Sequence, residues 1–469
     1  MNIVRFTSTG ALLLILLIAF PLAGYSQDTA EDTPPNIIYI MVDDMGYHDL
    51  GCYGSTTIQT PNIDRIAAEG MRFTDCYSGD TVCASARSTL MTGLHKGHTP
   101  VRGNSGGIPL FPEDVTVAEV LKQGGYATGA FGKWGLGNQG HDGAAERQGF
   151  DHFFGYYNQW HAHTYYTHLF RNSEKVELDG RYTHYAIYDE AIQFLHEHHD
   201  EPFFLYCPWT PPHAAYEIPE EDPAYQLYKD EPWDNSAKVV AAMDTMMDRQ
   251  IGEIMALLKE YKIDDNTIVF FTSDNGAAKR FDGIHNSCGV MQGHKRSLFE
   301  GGIRVPMVVR WPGHIEAGSE SDLPWYFPDV MPTLADLAGL TENFDADATI
   351  NDSAGIKGRA TMDGGVGINY VPEGIDGISI LPTLLGQGEQ QERDYLFWEF
   401  GGKRAVRSGT WKGILSGDNF ALYDLSEDRA EQNDLADEQP EIAQRLRGYA
   451  EEAYEEQRSQ QDDGKYTGK

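Results

Sequence analysis

Basic residues are scarce in this chain. Against 71 aspartates and glutamates stand 36 lysines and arginines in 469 residues, a formal charge of −35. A surface so acidic excludes a nucleic-acid binder and a protein that adheres to anionic membranes. It also repels small anions at long range. An anionic ligand must then be captured by a local cluster of cations, or at ionic strengths that shorten the range of repulsion. Long apolar runs are absent beyond the first 26 residues, so no later segment is expected to cross a bilayer.

Met1 to Ser26 reads as a secretory signal, with Arg5 as the positive flank, Ala11 to Ala19 as the apolar run, and Gly24 and Ser26 as small residues at the cleavage positions. The run is short for an uncleaved anchor. Removal of the signal takes Arg5 with it and moves the charge from −35 to −36. The mature chain is expected in the periplasm or outside the cell, with no membrane attachment. Cysteine is scarce as well, and the count of five is odd for an exported chain. Setting Cys83 aside leaves Cys52, Cys76, Cys207 and Cys288, which form two bridges in one of three connectivities or stay as buried thiols.

What is present suffices for a large core: 41% hydrophobic residues, 12% aromatic, and 50 glycines for tight turns. Asn36 to Val42 is a continuous β-prone run, as in a strand buried on both faces, and it ends at Asp43-Asp44. Pro61 to Gly70 and Thr116 to Gln123 read as short helices, Tyr182 to Glu197 and Lys238 to Lys259 as longer ones. Tyr126 to Phe131, Pro202 to Cys207, Thr267 to Thr272 and Val305 to Trp311 read as strands. Strands alternating with helices over some 300 residues predict an α/β fold, a large mixed β-sheet sandwiched by helices. Asp345 to Gly367 reads as a surface insertion. Beyond it, Asp394 to Phe400, Arg404 to Leu415 and Phe420 to Asp424 read as antiparallel strands and Pro440 to Gln457 as a closing helix. The expected organisation is a signal over 1–26, a catalytic α/β domain over 27–390, a small C-terminal α+β domain over 391–458 and a disordered tail over 459–469.

Gly149 to Phe170 is dense in rings, among them Phe153, Phe154, Tyr156, Tyr157, Trp160, Tyr165 and Tyr166. Two readings stand open: a packed loop cluster, or an exposed wall of rigid aromatic area facing a sugar.

Cys83 stands at the entry of a short helical pattern, with Arg87 at i+4 on the same face. A helix start offers unpaired N–H groups and the positive end of the dipole, which suits an anion. Carboxylates at strand ends point into the crevice where α/β sheets hold ligands. Asp43, Asp44, Asp274 and Asn275 thus supply oxygen donors of the kind a hard cation such as calcium takes.

Five segments, in order, resemble the sulfatases of the alkaline phosphatase superfamily. They are Val42-Asp43-Asp44-Met45-Gly46, Cys83-Ala84-Ser85-Ala86-Arg87, Gly132-Lys133-Trp134-Gly135-Leu136-Gly137, Thr272-Ser273-Asp274-Asn275-Gly276 and Glu300-Gly301-Gly302-Ile303-Arg304-Val305-Pro306. Ser85 stands where that family has proline or alanine. The tail, with Leu422-Tyr423-Asp424-Leu425 and Asn433-Asp434-Leu435, resembles the family's small C-terminal domain.

The resemblance implies that a formylglycine-generating enzyme oxidises Cys83 to an aldehyde. One hydroxyl of its hydrate attacks sulfur, and deprotonation of the other expels sulfate. It further implies one calcium ion at Asp43, Asp44, Asp274, Asn275 and the modified Cys83. Arg87 would hold the formylglycine, Lys133 and Lys295 would clamp the sulfate, and His213 would protonate the leaving oxygen. The family often carries a histidine where this chain has Gly135. His98 is the expected replacement, followed by His141, His161 and His163. The expected activity is hydrolysis of sulfate monoesters on carbohydrates or polysaccharides. The rival readings are a phosphomonoesterase or phosphodiesterase of the same superfamily, and a non-catalytic binder of sulfated glycans if Ser85 blocks conversion of Cys83.

Overall fold

The structure is a computed structural model. It describes residues 34–104, 108–278, 283–341 and 371–457, and the backbone of Ile350–Asn351 and Lys357–Gly358. The expected signal and the tail from Ser459 lie outside the described residues. So does most of Asp345 to Gly367, where Ile350–Asn351 pairs with Lys357–Gly358.

Ten strands form one sheet: β1 (Asn36–Val42), β2 (Met71–Phe73), β3 (Ala127–Lys133), β4 (His152–Tyr156), β5 (Leu169–Arg171), β6 (Glu174–Val176), β7 (Phe203–Pro208), β8 (Thr267–Ser273), β9 (Met307–Arg310) and β10 (Ser319–Ser321). Their order is β10-β2-β9-β8-β1-β7-β3-β4-β5-β6. The run β8, β1, β7, β3 and β4 is parallel throughout, while β9 lies antiparallel to β8 and to β2. The sheet is therefore mixed, with a parallel centre.

β1 shows why its sequence is apolar at every position after Asn36. Ile38, Ile40 and Val42 join one hydrophobic layer and Ile37, Tyr39 and Met41 the other, so both faces are covered. With α2 (Cys83–Thr92) and α3 (Val117–Gln123) on the opposite face, the first layer is closed by α1 (Pro61–Glu69), α4 (Thr183–His198) and α5 (Asn235–Tyr261). The second is closed by α2, α3 and α6 (Val330–Leu337). α3 starts on a capping box, with Thr116 accepting from the Glu119 N–H and Glu119 from that of Thr116.

A second, four-stranded antiparallel sheet follows: Leu396–Phe400, Lys403–Ser408, Trp411–Ser416 and Asn419–Asp424, with a final helix over Pro440–Glu452. The single strand expected over Arg404 to Leu415 is two strands, because Gly409 turns the chain at φ +60°.

This sheet docks through buried charge. Lys412 sits between Glu300 (2.9 Å) and Glu431 (2.8 Å), and all three are buried. Arg304 bonds Glu300 at 2.6 Å, Arg407 pairs with Asp75 at 2.7 Å, and the Tyr77 hydroxyl donates to Glu300 at 2.7 Å. Burial would raise the Glu300 carboxyl, but Lys412, Arg304 and Arg407 hold it far below its ordinary range. Burial, reinforced by the Glu300 charge, pushes Glu431 up to about 7. The motif from Glu300 to Pro306 is thus a socket for the C-terminal sheet. The Trp398 indole adds a bond of 2.7 Å to the Ser78 carbonyl, just ahead of α2.

Cys52, Cys76 and Cys207 are free thiols, and the Cys288 thiol donates to the Gly301 carbonyl at 3.5 Å. No helix among the described residues is long and apolar enough to cross a membrane.

Candidate active site

Four adjacent parallel strands deliver side chains to one edge of the sheet. β1 ends at Asp43-Asp44, β8 at Asp274-Asn275 and β3 at Lys133, and the turn after β7 carries His213. α2 brings Cys83 to the same point. Its first N–H groups lack a local side-chain cap, and the Asn104 carboxamide supplies one from a distance, accepting from the Ala84 N–H at 2.8 Å. Ser85 is wholly buried and donates to Asp80, which also pairs with Lys96.

The Cys83 thiol donates to Asp43 Oδ1 at 3.2 Å and accepts from Lys295 Nζ at 3.3 Å. Lys133 donates to the other Asp43 oxygen, and Lys295 to Asp44. Arg87 grips Asp274 Oδ2 through Nη2 (2.8 Å) and Nε (3.2 Å), and it also holds the Lys133 carbonyl. His213 Nε2 lies 3.4 Å from Asp44 Oδ2, while its Nδ1 bonds the Ala214 carbonyl at 2.6 Å.

Asp43, Asp274, Arg87 and Lys133 are buried, while Asp44 and Lys295 are each 10% exposed. Burial would raise Asp43, yet Lys133, His213 and Arg87 hold it well below the usual range. Burial and the Asp43 charge push Asp274 up to about 6 against the pull of Arg87. Burial, with Asp274 and Asp43 beside it, pushes the Cys83 thiol up to about 12. Burial alone would lower Lys295, but Asp44, Cys83 and Asp43 raise it well above its ordinary value. Burial holds His213 below its ordinary value despite Asp44.

The donor set fits a divalent cation. Ligand atoms of Asp43, Asp44, Cys83 and His213 all lie within 4.8 Å of one another. Asn275 turns its amide nitrogen to Asp44 at 2.7 Å, which leaves Asn275 Oδ1 buried and without a hydrogen-bond partner. An orphaned buried oxygen beside clustered carboxylates is what a hard cation would satisfy.

The structure therefore brings together Asp43, Asp44, Cys83, Arg87, Lys133, His213, Asp274, Asn275 and Lys295. It does not bring His98 there. His98 Nδ1 bonds Asp376 at 2.9 and 3.0 Å, and its ring stacks on His95 at 4.0 Å. The loop leaving α2 turns back toward the segment at Asp376, and the imidazole goes with it. Of the other histidines, His163 stacks on His213 at 4.2 Å, His161 bonds Thr167, and His141 lines an adjoining cleft.

Sequence reasoning missed the side chain that takes the vacant position at Gly135. Gly135 has φ +82°, and a Cβ there would lie 1.7 Å from Nε2 of Gln159. The backbone explains the meeting: Trp134 and Gly135 donate to the carbonyls of Tyr156 and Tyr157, which extends the β3–β4 pairing up to Gln159. A lone glutamine in an aromatic run carries no signal of this. The run itself is mostly core, with Phe153, Phe154, Tyr156, Tyr157 and Tyr165 buried, while Trp160 is 66% and Tyr166 49% exposed.

A fold of this topology with a cation-lined cysteine at its strand ends belongs among hydrolases of oxyanion esters. The family model described as Sulfatase matches residues 35–340. The chain is 31% identical to human arylsulfatase A over 91% of its own length and 89% of that protein. It is 32% identical to human N-acetylgalactosamine-6-sulfatase over 82% and 73%. A crystal structure of Ps i-CgsB in complex with k-i-k-neocarrahexaose superposes with a TM-score of 0.74 at 26% identity, over 90% of this chain and 93% of that one. The chain belongs to the sulfatase family, has its alkaline phosphatase-like fold with a small C-terminal antiparallel sheet, and is a sulfuric ester hydrolase.

Proposed function

We propose that the protein is an exported sulfatase acting on sulfated carbohydrates, with Cys83 converted to formylglycine by a formylglycine-generating enzyme. The observation that carries this reading is the setting of Cys83, its sulfur bracketed by Asp43 at 3.2 Å and Lys295 at 3.3 Å with Arg87 one turn along the helix. A carbohydrate substrate is supported by the relatives, one named for N-acetylgalactosamine 6-sulfate and one crystallised with a neocarrahexaose.

Calcium is the cation best suited to the oxygens of Asp43, Asp44, Asp274 and Asn275, with residue 83 completing the set; when bound, it supplies a Lewis acid for the sulfate oxygens. The aldehyde hydrate supplies the attacking hydroxyl and a second one whose deprotonation releases sulfate. Lys133 donates to Asp43 and Lys295 to the adjoining Asp44, so both ammonium groups are placed to neutralise the sulfate. Arg87 is fixed at both ends, on Asp274 and on the Lys133 carbonyl, so it orients the side chain at position 83. A carbonyl only accepts, so the bond to Ala214 places a proton on His213 Nδ1 and leaves Nε2 to exchange the proton of the leaving oxygen. Asp44 beside Nε2 favours the charged form that donates.

The test is the mass of the Cys83 peptide from protein exported by its own host, together with sulfate release from N-acetylgalactosamine 6-sulfate and carrageenan oligosaccharides. An aldehyde or hydrate at position 83, with turnover, is the expected result. A quantitative thiol with no turnover would overturn the reading.

A further inference from the structure

Beside the cluster lies a small cleft open to solvent. Its lining includes Asn104, Gly135, Asn138, Asn158, Gln159 and Trp160. Asn104 ties it to the catalytic helix by accepting from the N–H of Ala84, the residue after Cys83. Gly135 ties it to Lys133, two residues earlier in the chain.

Two features of the cleft call for a ligand. Gln159 is 7% exposed, yet neither atom of its amide has a hydrogen-bond partner. A buried amide with both its donor and its acceptor unmet is costly, and it implies a molecule that offers both roles at one point. The second feature is charge. Among the described residues the lining holds no lysine, arginine, aspartate or glutamate, and burial pushes the pKa of His141, which also lines it, below its ordinary value, toward the neutral form. Arg102 interrupts the lining in sequence but donates to the carbonyls of Thr99, Gly97 and Glu455. Ser105, Gly106 and Gly107, next in the chain after Asn104, are uncharged.

A carboxamide neither gives up nor takes on a proton in the ordinary pH range, so Gln159 is no base. It does match a hydroxyl, which donates and accepts at once. A lining of carboxamides beside an exposed indole face is also what a neutral sugar ring meets well, whereas a second sulfate or carboxylate would be desolvated there without a cation.

We propose that Gln159 is a specificity-determining residue of the substrate site: its amide reads a free hydroxyl on the sugar carbon next to the sulfated one, and the cleft rejects a second anionic group at that place. The proposal rests on the carbohydrate reading above. Gln159 acts on orientation and selection of substrate and takes no part in the transfer itself.

The test compares kcat/KM for three sets of methyl hexopyranosides, of the galactose and glucosamine series. One set carries a single sulfate beside a free hydroxyl, one a single sulfate beside a deoxygenated carbon, and one sulfates on both neighbouring carbons. The wild-type protein should prefer the first set over each of the others by about 10- to 100-fold, as expected where a buried polar group loses its partner. Gln159→Ala should bring both ratios to within about threefold of unity, and Gln159→Lys should invert the preference between mono- and disulfated sugars. Gln159→Glu keeps the shape of the side chain and serves if the alanine variant fails to fold. It should widen rejection of the disulfated set about tenfold further. Preference of the wild type for the disulfated set, or ratios that survive every substitution, would overturn the proposal. Turnover of 4-nitrophenyl sulfate with none of any hexopyranoside would instead remove the carbohydrate reading on which it rests.

Discussion

Replacing Lys412 by methionine keeps the length of the side chain and deletes one buried charge. In the native protein its ammonium stands 2.9 Å from Glu300 and 2.8 Å from Glu431. Glu300 would keep Arg304 at 2.6 Å, whereas Lys412 is the one cation paired with Glu431 among the described residues. Removing one partner of a buried pair costs about 3–5 kcal/mol. Unfolding entropy for a chain of this length gives roughly 1 °C per kcal/mol, so Tm should fall by about 3–5 °C at pH 8. The pH dependence follows from Glu431, whose pKa of about 7 lies above its ordinary 4.5. A carboxyl raised on folding stabilises fully below its unfolded pKa, and that contribution is lost as pH climbs through the folded value, here between about pH 4.5 and 7. Lys412 lowers that pKa, so Lys412→Met raises it further. At pH 5.5 the variant then carries a neutral Glu431, and its Tm deficit should shrink to under about half of that at pH 8. Adding Glu431→Gln should recover about 1–2 kcal/mol at pH 8, because no unpaired charge remains. Melting followed by circular dichroism at the two pH values decides it. A shift below 1 °C, an equal deficit at both pH values, or a further loss with Glu431→Gln would refute the reasoning.

Asp274→Ala should lower kcat/KM by about 10²- to 10⁴-fold and leave the purified protein short of metal by elemental analysis, since it strips both an oxygen donor and the anchor of Arg87. Exhaustive chelation should mimic it and added calcium reverse it; full activity without bound metal would remove the ion from the account. His213→Ala should cost about 10²- to 10⁴-fold in kcat on a sugar sulfate and far less on an aryl sulfate, whose leaving oxygen needs little protonation. Equal losses on both would deny the proton role. His98→Ala should show no burst of product in rapid quench and should act on stability instead. Its hydrogen bond to Asp376 raises the His98 pKa, and stability from a raised histidine is present below the ordinary value and lost as pH rises through the folded one. The variant should therefore lose more Tm at pH 5.5 than at pH 8.5, and the reverse order, or a burst, would restore His98 as a base.

The chemistry was legible where local sequence dictates geometry. β1 and β8 carry the apolar runs Ile37 to Val42 and Ile268 to Phe271 before the chain reaches Asp43-Asp44 and Asp274-Asn275, and such a strand end lands in a ligand crevice. The spacing of Cys83 and Arg87 places both on one helix face. What the sequence concealed depends on meetings far along the chain. Nothing near Gly135 announces that Gln159 fills its space, and nothing near Glu300 announces that Lys412 and Glu431, over a hundred residues on, share its charge. The aromatic run defied a single reading for a related reason: its rings alternate between core and surface as the chain winds, and only Trp160 and Tyr166 among those rings are exposed.

The socket at Glu300 also sets an order in time. Cys83 is wholly buried in the finished fold, under helices and beneath the segment that carries Lys295. That segment leads into the socket, and the socket is complete only when Lys412 arrives, 329 residues after Cys83 (412 less 83). At synthesis rates of about 5–20 residues per second, Cys83 is made roughly 16–66 s before Lys412. An enzyme that modified Cys83 during synthesis would have that interval before the socket is complete.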